Sequence, residues 1–288
     1  MIGQVFKILS FVYYVKDTES GEIIECRGRG KIKRDGEILV GDLVEYTLSV
    51  SGIGTIDKVL PRKNKLVRPF VSNVDTAIIV IAPVPKPDYY LVDKVIINCY
   101  KDGIEPVLCV NKSDLIDDGG LKRLVKGYGI VKNFFVSAYT GDGLDELKAY
   151  IGGKLVCFAG QSAVGKTSLL NALTGSNAET GNISRRIERG KNTTRHTEIY
   201  ELDGDTKIID TCGFSLLELD VEPSELKLYY PEFTRLNDDC RFNSCVHVAE
   251  PDCAVKQAVE NEDIDKDRYV RYTELYKEIK TLRSKQYE

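Results

Sequence analysis

The stretch Lys154-Leu-Val-Cys-Phe-Ala-Gly-Gln-Ser-Ala-Val-Gly-Lys-Thr-Ser168 decides the fold. Its apolar run, Leu155 to Ala159, reads as a buried strand. The run empties into Gly160-Gln161-Ser162-Ala163-Val164-Gly165-Lys166-Thr167, and Ser168-Leu-Leu-Asn-Ala-Leu173 then opens a helix. Strand, glycine-bounded loop and helix, in that order, are the context a phosphate-binding loop requires. The glycines let backbone N–H groups close around a phosphate at a helix N-terminus. Lys166 would bring a positive charge to the β/γ-phosphates, and the Thr167 hydroxyl would ligate Mg²⁺. A plain surface turn would need neither the full spacing nor these flanks.

On the N-terminal side of this stretch, buried strands alternate with helices, which is α/β periodicity. Asp75-Thr-Ala-Ile-Ile-Val-Ile-Ala82 predicts a strand, Tyr90 to Tyr100 a helix, and Pro106-Val-Leu-Cys-Val110 a second strand. The second strand ends in Asn111-Lys112-Ser113-Asp114. A carboxylate there can accept from the N1–H and N2–H₂ of guanine, donors that adenine does not present together. Phe134-Phe-Val-Ser137-Ala138 ends a third strand, and its corner could offer a backbone N–H to the guanine O6.

On the C-terminal side lie Arg189-Gly-Lys-Asn192-Thr193-Thr194-Arg195-His196, strands at 198–202 and 207–210, and the turn Asp210-Thr211-Cys212-Gly213. A hydroxyl-bearing loop after the first helix suits a switch whose Thr joins the Mg²⁺ shell when the γ-phosphate is present. Thr194 is the assigned ligand, with Thr193 the alternative. Asp210 can reach Mg²⁺ through water, and the Gly213 N–H can bond the γ-phosphate.

These pieces resemble the five motifs of the Ras-like GTPases in rotated order, with Asn111–Asp114 and Ser137-Ala138 ahead of the phosphate loop. A circular permutation leaves such a site intact, because the termini of compact domains lie near each other and the motifs sit at the C-terminal ends of parallel strands. The permutation also makes the second switch run directly into the C-terminal segment.

That segment carries Cys240-x₄-Cys245-x-His247-x₅-Cys253. Three thiolates and an imidazole supply a closed tetrahedral Zn²⁺ shell, which is a structural site. Val259, Tyr269, Tyr272, Leu275, Tyr276, Ile279 and Leu282 then recur at near-helical spacing, predicting a helix packed on the zinc module from Ala254 to Leu282. Before the α/β region, five short strands with turn residues between them, from Gly3 to Leu60, suggest an OB-type barrel. The expected fold is therefore multidomain α/β: an OB-type β-barrel (1–67), a circularly permuted P-loop GTPase domain (68–220) and a zinc-binding module with a C-terminal helix (221–288).

The chain has 288 residues and a formal net charge of −4, which argues against a uniformly basic nucleic-acid coat. Residues 1–68 hold twelve Lys/Arg against nine Asp/Glu, a balance of +3 that leaves −7 for the rest. Much of the excess is Arg27, Arg29, Lys31, Lys33 and Arg34, a candidate RNA-binding run. No apolar run approaches a membrane span and no signal peptide is evident, so a cytoplasmic protein without membrane contact is expected. Of eight cysteines, three join the zinc cluster and most others stand singly, as reduced thiols do.

Barrel, permuted GTPase motifs and Cys/His spacing together resemble the circularly permuted ribosome-assembly GTPases of the RsgA (YjeQ, YloQ) family over essentially the whole chain. The resemblance implies late maturation of the small (30S) ribosomal subunit, subunit-stimulated GTP hydrolysis, and contact of barrel and zinc module with 16S rRNA. Implied ligands are GTP/GDP with Mg²⁺ and one Zn²⁺; a monomer is expected. The chain departs from the family pattern at Asn192, where the family usually has His. That residue and Lys166, Thr194 and Gly213 are the catalytic candidates. Cys212 stands where Pro is common, and Ala163 where the loop often has Gly. Phe214 stands where Ras has its water-orienting glutamine and cannot orient a water. Slow intrinsic turnover is expected, the alternative being a nucleotide-sensing RNA-binding factor with little hydrolysis of its own.

Overall fold

The structure is a computed structural model and describes residues 1–29, 38–66, 70–175, 197–202, 205–210 and 219–286. Strands β1 (Ile2–Leu9), β2 (Val12–Asp17), β3 (Ile23–Gly28), β4 (Leu43–Leu48) and β5 (Gly54–Val59) close on themselves in the order 1-2-3-5-4-1. All neighbours are antiparallel except β3 and β5, which run parallel. This is the closed Greek-key barrel of the OB type. Alternate residues point inward, so Val5, Val15, Cys26, Val44, Tyr46 and Ile56 fill its interior. The Tyr46 hydroxyl, buried with them, donates to Asp17 Oδ2 at 2.6 Å.

After a two-stranded ribbon, β6 (Lys65–Leu66) and β7 (Val71–Ser72), the chain enters a second sheet. Its strands are β8 (Thr76–Ile81), β9 (Glu105–Val110), β10 (Lys132–Phe135), β11 (Leu155–Ala159), β12 (Glu198–Glu201) and β13 (Lys207–Asp210). They lie in the order 10-9-8-11-13-12, all parallel except the edge strand β12. The apolar runs are continuous because helices cover both faces. On one face Ile79, Ile81, Leu108 and Cys157 meet Val92, Val95 and Ile96 of α1 (Tyr89–Lys101). On the other, Ile78, Val80, Val107 and Phe158 meet Leu147 of α3 (Leu144–Ile151) and Leu169 and Leu173 of α4 (Lys166–Thr174). A short helix, α2 (Asp118–Leu124), precedes β10. The barrel joins this sheet through one ladder pair, Lys7 opposite Glu198, reinforced by their 2.7 Å ion pair.

Beyond residue 219 come α5 (Pro231–Thr234), α6 (Ala254–Glu260) and α7 (Lys266–Gln286). The periodic tail is therefore two helices, not the single one its spacing predicts. Asn261 caps α6, Glu262 is left-handed (φ 64°), and the Asp265 carboxylate accepts the Arg268 N–H at 3.0 Å. A left-handed residue followed by an N-cap-like acid restarts the helix in a new direction.

The tail is locked to the α/β domain by a buried ion cluster. Asp93 of α1, fully buried, accepts from Arg268 Nη1 and Arg271 Nε, each at 2.6 Å, and from the Tyr128 hydroxyl at 2.8 Å. Arg268 also pairs with Glu232. Burial opposes its charge, but the Asp93 and Glu232 carboxylates outweigh that and push its pKa up. Removing one partner of such a cluster strands the others without solvent. Asp93→Ala is thus expected to cost about 3–5 kcal/mol and to lower the melting temperature by roughly 10 °C. Differential scanning fluorimetry checks this, and an unchanged melting curve would show that the cluster holds nothing.

Among the described residues, no helix is long and apolar enough to cross a membrane. The described cysteines are all buried free thiols.

Candidate nucleotide site and metal centre

The parallel strands end on one side of the sheet, and the nucleotide motifs come directly after those ends. Gly160 to Gly165 connects β11 to α4; Asn111 to Asp114 succeeds β9; Ser137-Ala138 lies just past β10. Asp210 is the last residue of β13. The phosphate loop needs backbone that only glycine adopts freely at two points. Gly160 has φ 129°, and a Cβ there would lie 2.2 Å from Val80 O; Gly165 has φ 94°, and its Cβ would meet Asn111 Nδ2 at 2.4 Å. Ala163 is left-handed at φ 65°, a conformation that costs a non-glycine residue roughly 1 kcal/mol. The Lys112 ammonium, itself on a left-handed residue, holds the Ala163 carbonyl at 2.8 Å.

Asn111 stitches the two halves of the site together. Its buried amide donates to Val164 O at 2.9 Å, while its Oδ1 accepts the Ala138 N–H at 3.1 Å. The Asn111–Asp114 motif and the phosphate loop, whose bonded residues are 53 apart in sequence, therefore share one side chain. Ser137 Oγ donates to Asp114 Oδ1 at 2.5 Å, which turns the carboxylate toward the Ser-Ala corner. Lys166 Nζ donates to the Gly160 and Gln161 carbonyls at 2.8 and 2.7 Å, so its charge lies within the loop's mouth. Thr167 and Ser168 are both exposed at the first turn of α4. Thr167 thus offers a hard oxygen donor where Mg²⁺ would sit, and hard oxygens are what that ion takes.

Asn192, Thr193, Thr194, Gly213 and Phe214 lie outside the described residues, as do Lys31, Lys33 and Arg34. Arg27 and Arg29 are exposed at the end of β3 and just past it, and Arg29 pairs with Asp57 at 3.2 Å.

The second centre is the Cys/His cluster. Cys240, Cys245, His247 and Cys253 are all buried, and their ligand atoms lie within 4.8 Å of one another. His247 Nε2–H donates to Asn237 Oδ1 at 2.9 Å, which leaves Nδ1, 3.3 Å from Cys253 Sγ, free to bind metal. Burial pushes the Cys245 thiol up to about 12 and the His247 imidazole down to about 4. A dry pocket that disfavours bare thiolates needs a divalent cation to hold them, and Cys₃His fits one structural zinc ion. The loop is propped from α7: the Tyr269 hydroxyl donates to His247 O at 2.8 Å and the Tyr272 hydroxyl to Val246 O at 2.6 Å. Motif spacing picked out the four residues that cluster, whereas Asn237 and the two tyrosines carried no motif.

The sequence model described as RsgA GTPase matches residues 59–220, and that of the RsgA N-terminal domain matches residues 2–56. A protein of Caldanaerobacter subterraneus subsp. tengcongensis named small ribosomal subunit biogenesis GTPase RsgA is 44% identical over 291 residues, covering 99% of this chain and 98% of its own. One of the same name from Thermotoga maritima is 41% identical over 294 residues, covering 98% of each. The crystal structure of YjeQ from Thermotoga maritima superimposes with a TM-score of 0.81 at 40% identity, covering 96% of this chain and 98% of that one. YloQ, a circularly permuted GTPase, gives 0.80 at 34%, covering 97% and 95%. With its closed N-terminal barrel, its parallel sheet in which Asn111–Asp114 precedes the phosphate loop, and its buried Cys₃His cluster, the chain belongs to the RsgA GTPase family.

Proposed function

We propose that the chain is a GTP hydrolase that binds the small ribosomal subunit and acts in its late maturation, with the nucleotide state controlling its release. The observation that carries this is the side chain of Asn111, which joins a guanine-reading motif to a phosphate loop within an RsgA-family chain. In this reading Asp114 selects guanine, Ser137 and Ala138 border the base, and Lys166 with the amides of residues 160–168 holds the phosphates. Thr167, Thr194 and Asp210 supply the oxygen donors for Mg²⁺, which when bound neutralises charge on the β- and γ-phosphates. Hydrolysis is then largely positioning and electrostatics. Gly213 would steady the γ-phosphate, and Asn192 would orient water without taking its proton. Arg27, Arg29, Lys31, Lys33 and Arg34 would face 16S rRNA, and the protein would work as a cytoplasmic monomer. The division at residues 67 and 220 separates the RNA-binding, switching and zinc-bearing parts.

The test is multiple-turnover phosphate release with and without 30S subunits, paired with co-sedimentation in GDP and in a non-hydrolysable GTP analogue. Slow release alone and at least roughly tenfold stimulation by subunits are expected. No release under either condition would leave the RNA-binding factor instead. Equal co-sedimentation in the two nucleotides would remove the control of release.

A further inference from the structure

The first half of the phosphate loop is held at its backbone carbonyls, by Lys166 at residues 160 and 161 and by Lys112 at residue 163, but little of it is buried. Ser162 and Ala163 are exposed, and the buried anchor Val164 comes only afterward. Gln161 is the exception, because both ends of its amide are engaged by the turn that leads into α1. Its Oε1 accepts the Asp88 N–H at 2.7 Å, and its Nε2 donates to Lys86 O at 3.0 Å. Lys112 adds a second tie between the same segments, donating to Val84 O and Ala163 O at 2.8 Å each.

A clamp positions a loop only if its other jaw is stiffer than the loop. Here that jaw is the N-terminus of α1, where Asp88 is the N-cap and accepts the Leu91 N–H at 3.1 Å. Five residues on, Asp93 is buried against Arg268 and Arg271. On the same helix Lys94 reaches Glu278 at 2.9 Å, and the Tyr90 hydroxyl bonds the same carboxylate. Helix α1 is therefore fixed both to the sheet beneath it and to α7, while Gln161 is fixed to the N-cap of α1 and to the turn before it.

We propose that Gln161 is a positioning residue for GTP binding: it registers the first half of the phosphate loop on the N-terminus of α1, so that closing the loop on a phosphate also steadies that helix end. The proposal rests on the reading of residues 160–168 as the GTP site.

Gln161→Met keeps the length of the side chain and removes both hydrogen bonds. The expected result is a roughly tenfold loss of affinity for a fluorescent GDP, with the melting temperature unchanged. Hydrogen exchange supplies a readout that a merely structural role would not move. In the wild type, GDP should slow exchange of the amides of residues 88–92 as well as 164–168; in Gln161→Met only the second group should slow. Gln161→Glu keeps the acceptor for the Asp88 N–H and should restore slow exchange at Asp88, which keeps the test open if the Met variant folds poorly. Wild-type affinity in Gln161→Met, or undiminished protection of residues 88–92 by GDP, would overturn the proposal. A wild type that binds no nucleotide would overturn the GTP-site reading, and this proposal with it.

Discussion

Replacing Asp114 with Asn is expected to weaken GTP and GDP binding by two to three orders of magnitude while leaving the fold intact. The Asp114 carboxylate is exposed, and its described side-chain partner is Ser137 Oγ, so little of the protein depends on it. Its proposed partners are the N1–H and N2–H₂ donors of guanine. Asn would turn one acceptor into a donor facing a donor. Hydrogen bonds to a charged group are worth about 1.5–3 kcal/mol each, so losing one, setting a donor against a donor and removing the charge from the other corresponds to roughly 10²–10³ in affinity. Xanthine carries a carbonyl where guanine carries the amino group, so the same substitution should improve binding of xanthosine nucleotides. Titration with fluorescent guanosine and xanthosine diphosphates measures both effects. Unchanged guanosine affinity would show that residues 111–114 form only a polar loop, and the assignment to guanine would fall.

Much of this arrangement was legible because it is written locally. Parallel strands buried on both faces leave continuous apolar runs, and the phosphate and guanine motifs sit directly after such runs at residues 110 and 159. The permuted order was legible for the same reason, since each motif carries its own flanking strand. Zinc ligands were legible because soft residues at close spacing have few other uses. The hidden features depend on distant partners. Asp93 interrupts the apolar face formed by Val92, Val95 and Ile96, and a lone carboxylate there is a signal. Its partners Arg268 and Arg271, however, lie 175 and 178 residues away, in a segment whose own pattern shows only helical periodicity. The break between α6 and α7 was hidden because the apolar spacing continues across both helices. Gln161 was legible as a member of the phosphate loop but not as its clamp, because its partners are backbone atoms of another turn.

Removing zinc should separate what the two ends of the molecule contribute. The module beyond residue 219 has a small core of its own, in which Tyr230, Phe233, Tyr272 and Leu275 pack around the buried cysteines, with Ile97 of α1 entering from the α/β domain. Helix α6 has seven residues, too few to persist without packing, and α7 has 21 but a strongly polar surface. The loop between Cys240 and Cys253 is mostly irregular and takes its shape from the four ligands and from Tyr269 and Tyr272. Small metal-built modules commonly gain folding free energy directly from the ion, about 10–16 kcal/mol in zinc-binding peptides. Cys245→Ser, or chelation of the wild type, should therefore release the zinc and reduce helical circular dichroism. An early melting transition roughly 10 °C or more below that of the intact protein should also appear. Helix α4 and Val164 pack on the opposite face of the sheet from α1, and the Gln161 bonds to residues 86 and 88 do not involve the Cys/His loop, so GDP affinity should fall by no more than about threefold, a change of under 1 kcal/mol. Binding to 30S subunits should fall much further, because the family resemblance implies that the zinc module, like the barrel, contacts 16S rRNA. A chelated protein that melts as the wild type does would show that hydrogen bonds and packing alone hold the Cys/His loop. Equal losses of GDP and subunit binding would show that α7, through Asp93, supports the nucleotide site as strongly as it supports the module.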